Sequence, residues 1–150
     1  MVSQQMTIFL VEDNDDDAEL SLRAFQRAKI TNPVIRARDG VDALDYLFAR
    51  GKYAARDERY LPAVILLDLN LPKINGLEVL KAIRADERTR HLPVVMLTTS
   101  NEDCDRMEAY LNYVNSYVLK PVDYDQFVAA ASHLTLYWTE LNAPPPLQAV

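Results

Sequence analysis

A chain of 150 residues, 49% apolar and 25% charged, is long enough to bury the core of one ordinary globular domain. Its 22 acidic and 16 basic residues leave a net charge of −6 and no basic stripe, which argues against nucleic-acid phosphates as its partner, so no DNA binding is expected. No apolar run approaches a membrane span, the N-terminus is polar, and the single Cys104 excludes an internal disulfide, so a cytoplasmic protein with no membrane partner is expected.

Short apolar runs alternate with longer stretches of helical period. Thr7 to Val11 reads as the first strand and runs straight into Glu12-Asp13-Asn14-Asp15-Asp16. Asn14 or Asp15 can cap the next helix, whose positive end favours the early acids, with Ala18, Leu22 and Phe25 on one face. Asn32-Pro33 breaks the chain before a short strand at Val34 to Ala37, and Asp39-Gly40 turns into a helix carrying Val41, Leu44, Leu47 and Phe48. Arg50 to Pro62 is a long charged connection, either a solvated loop or a segment ordered by a partner.

The third strand, Ala63 to Leu67, is apolar throughout, as a strand covered on both faces should be, and ends on Asp68. Asn75-Gly76 opens a helix with Leu77, Leu80 and Ile83 inward. Val94 to Leu97 forms a fourth strand running into Thr98-Thr99-Ser100. Ser100 with Asp103 resembles a capping box for a helix that buries Cys104, Met107 and Leu111. Tyr117 to Leu119 is the fifth strand and closes on Lys120-Pro121. The last helix has the cleanest period, through Phe127, Ala131, Leu134, Trp138 and Leu141, until the prolines at 144–146 stop it.

Five such units predict an α/β fold, a parallel sheet with helices on both faces, in a single domain over 1–143 with a frayed Pro-rich tail at 144–150. Right-handed crossovers bring the C-terminal strand ends to one edge, where open sheets hold ligands. Glu12, Asp13, Asp68, Thr98 and Lys120 all fall there. Gathered carboxylates repel one another until a hard cation with oxygen ligands neutralises them. A carboxylate can also attack phosphorus, and a metal and a lysine on opposite sides stabilise the transferred group. Each residue alone has an ordinary explanation: Asp13 to Asp17 as a helix cap, Asp68 as a turn residue, Thr98 and Tyr117 as strand residues, Lys120 as a solvated strand end. Their joint placement favours a phosphate-handling site. His91 and His133 stand outside it, and no zinc spacing, Gly-rich phosphate loop or Ser/His/Asp set is present.

The segments Ile8 to Asp13, Val64 to Pro72, Asn75 to Leu80, Pro93 to Thr98 and Ser116 to Pro121 together resemble the receiver domain of bacterial two-component response regulators over nearly the whole chain. The resemblance implies a five-stranded parallel sheet in flavodoxin-like order. It also implies a phosphoprotein rather than a turnover enzyme, accepting a phosphoryl group from a sensor histidine kinase. Asp68 matches the phosphorylated aspartate, Asp13 and, through water, Glu12 match the magnesium ligands, and the Asn70 carbonyl adds another. Manganese is expected to substitute for magnesium. Lys120 would pair with the phosphoryl group, and Thr98 with Tyr117 would form the switch. The Arg50 to Pro62 connection, Val114 to Tyr117 and the extended last helix resemble stand-alone receivers paired with bacterial phytochromes, whose output is protein contact.

Two departures from the family pattern stand out: Thr99 in place of a smaller residue, and Tyr113 where a glycine is common. Tyr110, Tyr113 and the last strand and helix suggest a homodimer surface. Three other functions remain open: a haloacid-dehalogenase-type phosphatase, whose pattern wants an acid where Asn70 stands; a receiver-like adaptor that takes no phosphate; and a flavin module.

Overall fold

A computed structural model of the chain describes residues 6–146; Met1 to Gln5 and the end of the expected tail, 147–150, lie outside the described residues. Each of the five strands expected from the sequence forms: β1 at Ile8–Val11, β2 at Val34–Ala37, β3 at Val64–Leu67, β4 at Val94–Thr98 and β5 at Ser116–Leu119. All pair in parallel, in the order β2-β1-β3-β4-β5. The helices between and after them are α1 at Asp15–Arg27, α2 at Gly40–Leu47, α3 at Gly76–Ala85, α4 at Asp103–Leu111 and α5 at Tyr124–Leu136. This is the five-stranded α/β arrangement expected from the alternation of the sequence.

Successive side chains on a strand point to opposite faces, and the two cores follow that period. Phe9, Val11, Ile65, Leu67, Val94 and Met96 face α2 and α3, meeting Leu44, Leu47, Val79, Leu80 and Ile83. Ile8, Leu10, Val64, Leu66, Val95 and Leu97 face the opposite way onto Ala18, Ala24 and Phe25 of α1 and Phe127 and Ala131 of α5. Full burial of each large aliphatic side chain contributes about 1.5–3 kcal/mol.

Side-chain caps start four helices. Asn14 accepts from the Asp17 N–H, Asp39 from Asp42, Asn75 from Glu78 and Asp123 from Asp125. Gly76 has a steric reason: a Cβ there would lie 2.2 Å from the Asp68 carbonyl oxygen, so α3 can begin against the end of β3 only with glycine.

Several expectations give way. The buried side of α1 runs through Ala18, Ser21, Ala24 and Phe25, which rotates Leu22 out to solvent. The α4 helix buries only Ala109, leaving Cys104, Met107 and Leu111 exposed. Both of its ends attach to the margin of the sheet, β4 and the edge strand β5, so little of it meets the core. The Ser100–Asp103 capping box does not form. Glu102 occupies the cap position without a side-chain bond, and the Ser100 hydroxyl donates instead to Asp105 Oδ2 at 2.6 Å. Beyond α5 the chain winds into a π turn at Tyr137–Leu141, which leaves Leu141 exposed. Residues 142–146 carry no helix or strand.

The connection from Arg50 to Pro62 is ordered by its own residues. The Arg56 guanidinium lies 4.2 Å from the Tyr46 ring and donates to the carbonyls of Tyr46, Leu47, Asp57 and Tyr60. Tyr46 in turn stacks on Phe9 of the core, with ring centres 4.7 Å apart.

Candidate functional site

The pairing of Val11 with Leu67 fixes the site, because the residues after them, Glu12 and Asp68, must leave the sheet side by side. The Asp68 N–H donates to the Val11 carbonyl at 3.1 Å, and its Oδ1 accepts from the Asn70 N–H at 3.1 Å. Two strands away, the Lys120 N–H donates to the Thr98 carbonyl at 2.8 Å, which roots the lysine at the end of the sheet. Its Nζ then reaches back across β4 and donates to Glu12 Oε1 at 2.6 Å, Asp68 Oδ2 at 3.1 Å and Asp17 Oδ2 at 3.3 Å. Glu12 and Asp68 are buried, while Asp13 opens to solvent.

Glu12, Asp13 and Asp68 each offer a carboxylate oxygen within 4.8 Å of the others. A set made only of hard oxygen donors fits magnesium or manganese and does not suit a thiolate- or imidazole-seeking metal. Their electrostatics fit a cation too. Burial pushes the Glu12 carboxyl up to about 7, against the Lys120 hydrogen bond that lowers it, and the Asp68 charge adds to the rise. Burial opposes the Lys120 ammonium, yet its Glu12 bond and the Asp68 and Glu12 charges hold its pKa above the usual lysine value. Lys120 therefore stays charged, and a single ammonium faces an excess of acid.

Thr98 is fully buried, and its hydroxyl oxygen accepts from the Ser100 N–H at 3.2 Å. Tyr117 is half-buried and packed on the larger core, and its hydroxyl donates to the Ser100 carbonyl at 3.0 Å. Burial raises its pKa, so it remains a donor at neutral pH. Thr98 and Tyr117 thus meet on Ser100, whose side chain holds Asp105 of α4. Thr99 is exposed at the same turn.

The structure gathers Glu12, Asp13, Asp68 and Lys120 at this edge and ties the Thr98 backbone, but not its side chain, to Lys120; two further residues were missed by sequence reasoning. Asp17 stands in the first turn of α1, three residues after the Asn14 cap, and its Oδ2 lies 3.3 Å from Lys120 Nζ. Arg36 stands alone among apolar residues in β2, which was its signal. Its guanidinium donates twice to the Glu12 carbonyl, at 3.1 and 2.9 Å, and once to Asp15 at 2.8 Å.

An edge-bound acid cluster bridged by a half-buried lysine, on a sheet of this order, defines a class. The description "Response regulator receiver domain" matches residues 8–132, and the chain belongs to that family. Among curated relatives, the probable methanogenesis regulatory protein FilR2 of Methanothrix harundinacea is 44% identical over 138 residues, covering 92% of this chain and 86% of its own. Response regulator Rcp1 of Synechocystis is 35% identical over 138 residues, 92% of each chain. Its Mn(2+)-bound form superposes with a TM-score of 0.84 at 33% identity, covering 94% of this chain and 99% of that one. The phosphorylated cyanobacterial phytochrome response regulator RcpA gives 0.86 at 36% identity, covering 95% and 99%. The bacteriophytochrome response regulator RtBRR gives 0.76 at 53% identity, covering 95% and 85%. The protein is a response regulator receiver related to the phytochrome response regulators.

Proposed function

We propose that Asp68 accepts a phosphoryl group from a phosphohistidine on a sensor histidine kinase, and that the resulting acyl phosphate signals through protein contacts. The observation that carries this is Lys120 Nζ bridging the buried Asp68 and Glu12 carboxylates at 3.1 and 2.6 Å. A buried, lysine-paired carboxylate at a strand end is both nucleophile and part of its own electrostatic cradle.

An Asp68 carboxylate oxygen forms the new bond to phosphorus, the P–N bond of the donor breaks, and the electron pair leaves on the imidazole. Glu12, Asp13, Asp68 and the Asn70 carbonyl would hold magnesium or, in its place, manganese, the ion bound in the Mn(2+)-bound form of the relative Rcp1. When bound, the ion neutralises the negative charge on the transferred oxygens. Lys120 stays protonated and shifts the hydrogen bond it gives Asp68 to a phosphoryl oxygen, and Thr98 turns its hydroxyl to a second. That turn gives up the contact with Ser100, and Tyr117, bonded to the same residue, carries the change to α4.

A phytochrome-type kinase is the partner suggested by RcpA and RtBRR. A second copy is the partner suggested by apolar groups exposed on the last strand, the last helix and the turn after it, Leu119, Leu136 and Tyr137. Among the described residues no helix is long and apolar enough to cross a membrane, which fits a cytoplasmic setting. The protein is consumed stoichiometrically, one phosphoryl group per chain, and is no turnover enzyme.

Intact-protein mass spectrometry with a small phosphodonor tests this reading. One magnesium-dependent adduct that is absent in Asp68→Asn is expected. Labelling that persists in Asp68→Asn places the acceptor elsewhere, catalytic hydrolysis of phosphate esters makes the protein a phosphatase, and no adduct in the wild type makes it an adaptor.

A further inference from the structure

Lys120 has one more partner than a phosphoryl site requires. Its ammonium donates to Glu12, Asp68 and Asp17, and an ammonium has only three protons to give. Two of these acceptors have other work, since Glu12 and Asp68 belong with Asp13 to the set whose oxygens can hold a cation. Asp17 is outside that set. It sits in the first turn of α1, where its own N–H is bonded to Asn14 Oδ1 at 3.0 Å, so its backbone is pinned independently of the lysine. Asp15 in the same turn is committed elsewhere, to Arg36 and Arg38.

We propose that Asp17 is a positioning residue that keeps Lys120 aimed into the crevice once a cation engages Glu12 and a phosphoryl group engages Asp68. This rests on Asp68 being the acceptor. The lysine is a compact charge on a flexible stem, and the sheet fixes only its root, through the backbone bond to Thr98. Where its tip points is decided by its acceptors. Glu12 shared with a cation is a weaker acceptor, and the Asp68 oxygen becomes part of an acyl phosphate. Asp17 alone keeps its full charge and its place through the transfer. Held from the α1 side, the ammonium has its remaining protons directed at the incoming phosphoryl oxygens.

The test compares rates of phosphoryl uptake from acetyl phosphate at saturating magnesium in wild type, Asp17→Asn and Asp16→Asn. The last removes the same charge from the same turn and controls for repulsion of the anionic donor. Asp17→Asn is expected to slow uptake on the order of tenfold, as loss of alignment does, with Asp16→Asn within about twofold of wild type. In a Lys120→Gln background Asp17→Asn should cost nothing further, because the residue it positions is gone. Two readouts need no phosphoryl transfer. Magnesium affinity by calorimetry should change by less than about threefold in Asp17→Asn, since it is no ligand. Urea midpoints of the metal-free single and double variants should be non-additive. Uptake in Asp17→Asn equal to that in Asp16→Asn, or a further loss in Lys120→Gln, overturns the role. Additive urea midpoints overturn the contact. A wild-type protein that takes up no phosphoryl group overturns the acceptor assignment itself, and this role with it.

Discussion

Helices α3 and α4 are neighbours of similar length, each following a strand, yet they are attached to the molecule in different ways. The α3 helix sinks Val79, Leu80 and Ile83 completely into the core, which contributes on the order of 6 kcal/mol. The α4 helix sinks only Ala109 and presents Met107, Tyr110 and Leu111 to solvent. What holds α4 is mostly polar and sits at its ends. Ser100 bonds Asp105 near its start, and beyond its C-terminus Arg84 of α3 donates to the Tyr113 carbonyl at 3.0 Å and to Asn115 Oδ1 at 2.9 Å. The acceptor crevice is thus built on a rigid half, since α3 starts against Asp68. The element wired to Thr98 and Tyr117 is the weakly buried one. Regions that switch are drawn from the low-stability end of a fold, and α4 has that character.

Truncation should separate the two helices most sharply. Ile83→Ala is expected to cost about 3 kcal/mol and Met107→Ala less than about 0.5 kcal/mol by denaturant unfolding; equal costs would erase the distinction. Next in size, Arg84→Ala should cost about 2 kcal/mol and raise hydrogen exchange in the α4–β5 connection while leaving α3 protected, because it strips several carbonyls of their donor at once. Tyr113 holds φ 64, a conformation that penalises a side chain and explains why glycine suits the position. Tyr113→Gly should therefore raise stability by about 0.5–1 kcal/mol, and a lower unfolding midpoint would mean that its ring makes a contact of greater value.

The smallest effect lies just past α3. Hydrogen bonds from Arg88 hold Asp86 down at about 2, below its ordinary 3.8. A lowered carboxyl stabilises the fold above its unfolded value and ceases to do so as pH falls through the folded one. Wild type should accordingly lose about 0.5 kcal/mol or less more than Arg88→Met between about pH 4 and pH 2.

The sheet was legible because its three central strands, β1, β3 and β4, are short apolar runs buried on both faces, which leaves no polar face for an amphipathic helix, and the breakers around the less buried β2 and β5 mark these out. The functional edge was legible for the same reason: Glu12, Asp68, Thr98 and Lys120 directly follow or end strands whose register then forces them together. What failed was the orientation of helices. Met107 and Leu111 carry an apolar four-residue spacing, but period alone does not say whether a core exists beneath a helix at the sheet margin. Leu22 failed because small residues, Ala18, Ser21 and Ala24, make the close contact with the sheet and with α5. Arg36 and Asp17 were missed because each acts on a residue far away in sequence, Arg36 on Glu12 and Asp17 on Lys120. The long connection after α2 hid its order in a single side chain, Arg56.

Hydrogen exchange with and without phosphodonor and magnesium, in wild type and Asp68→Asn, tests most directly whether chemistry at the rigid crevice is read out on the loosely held helix. A change in protection confined to the segment from Ser100 through α4 and β5, with α3 unchanged and Asp68→Asn silent, is the predicted result. Protection that changes equally in α3 and α4, or an Asp68-dependent adduct that leaves α4 untouched, would contradict it.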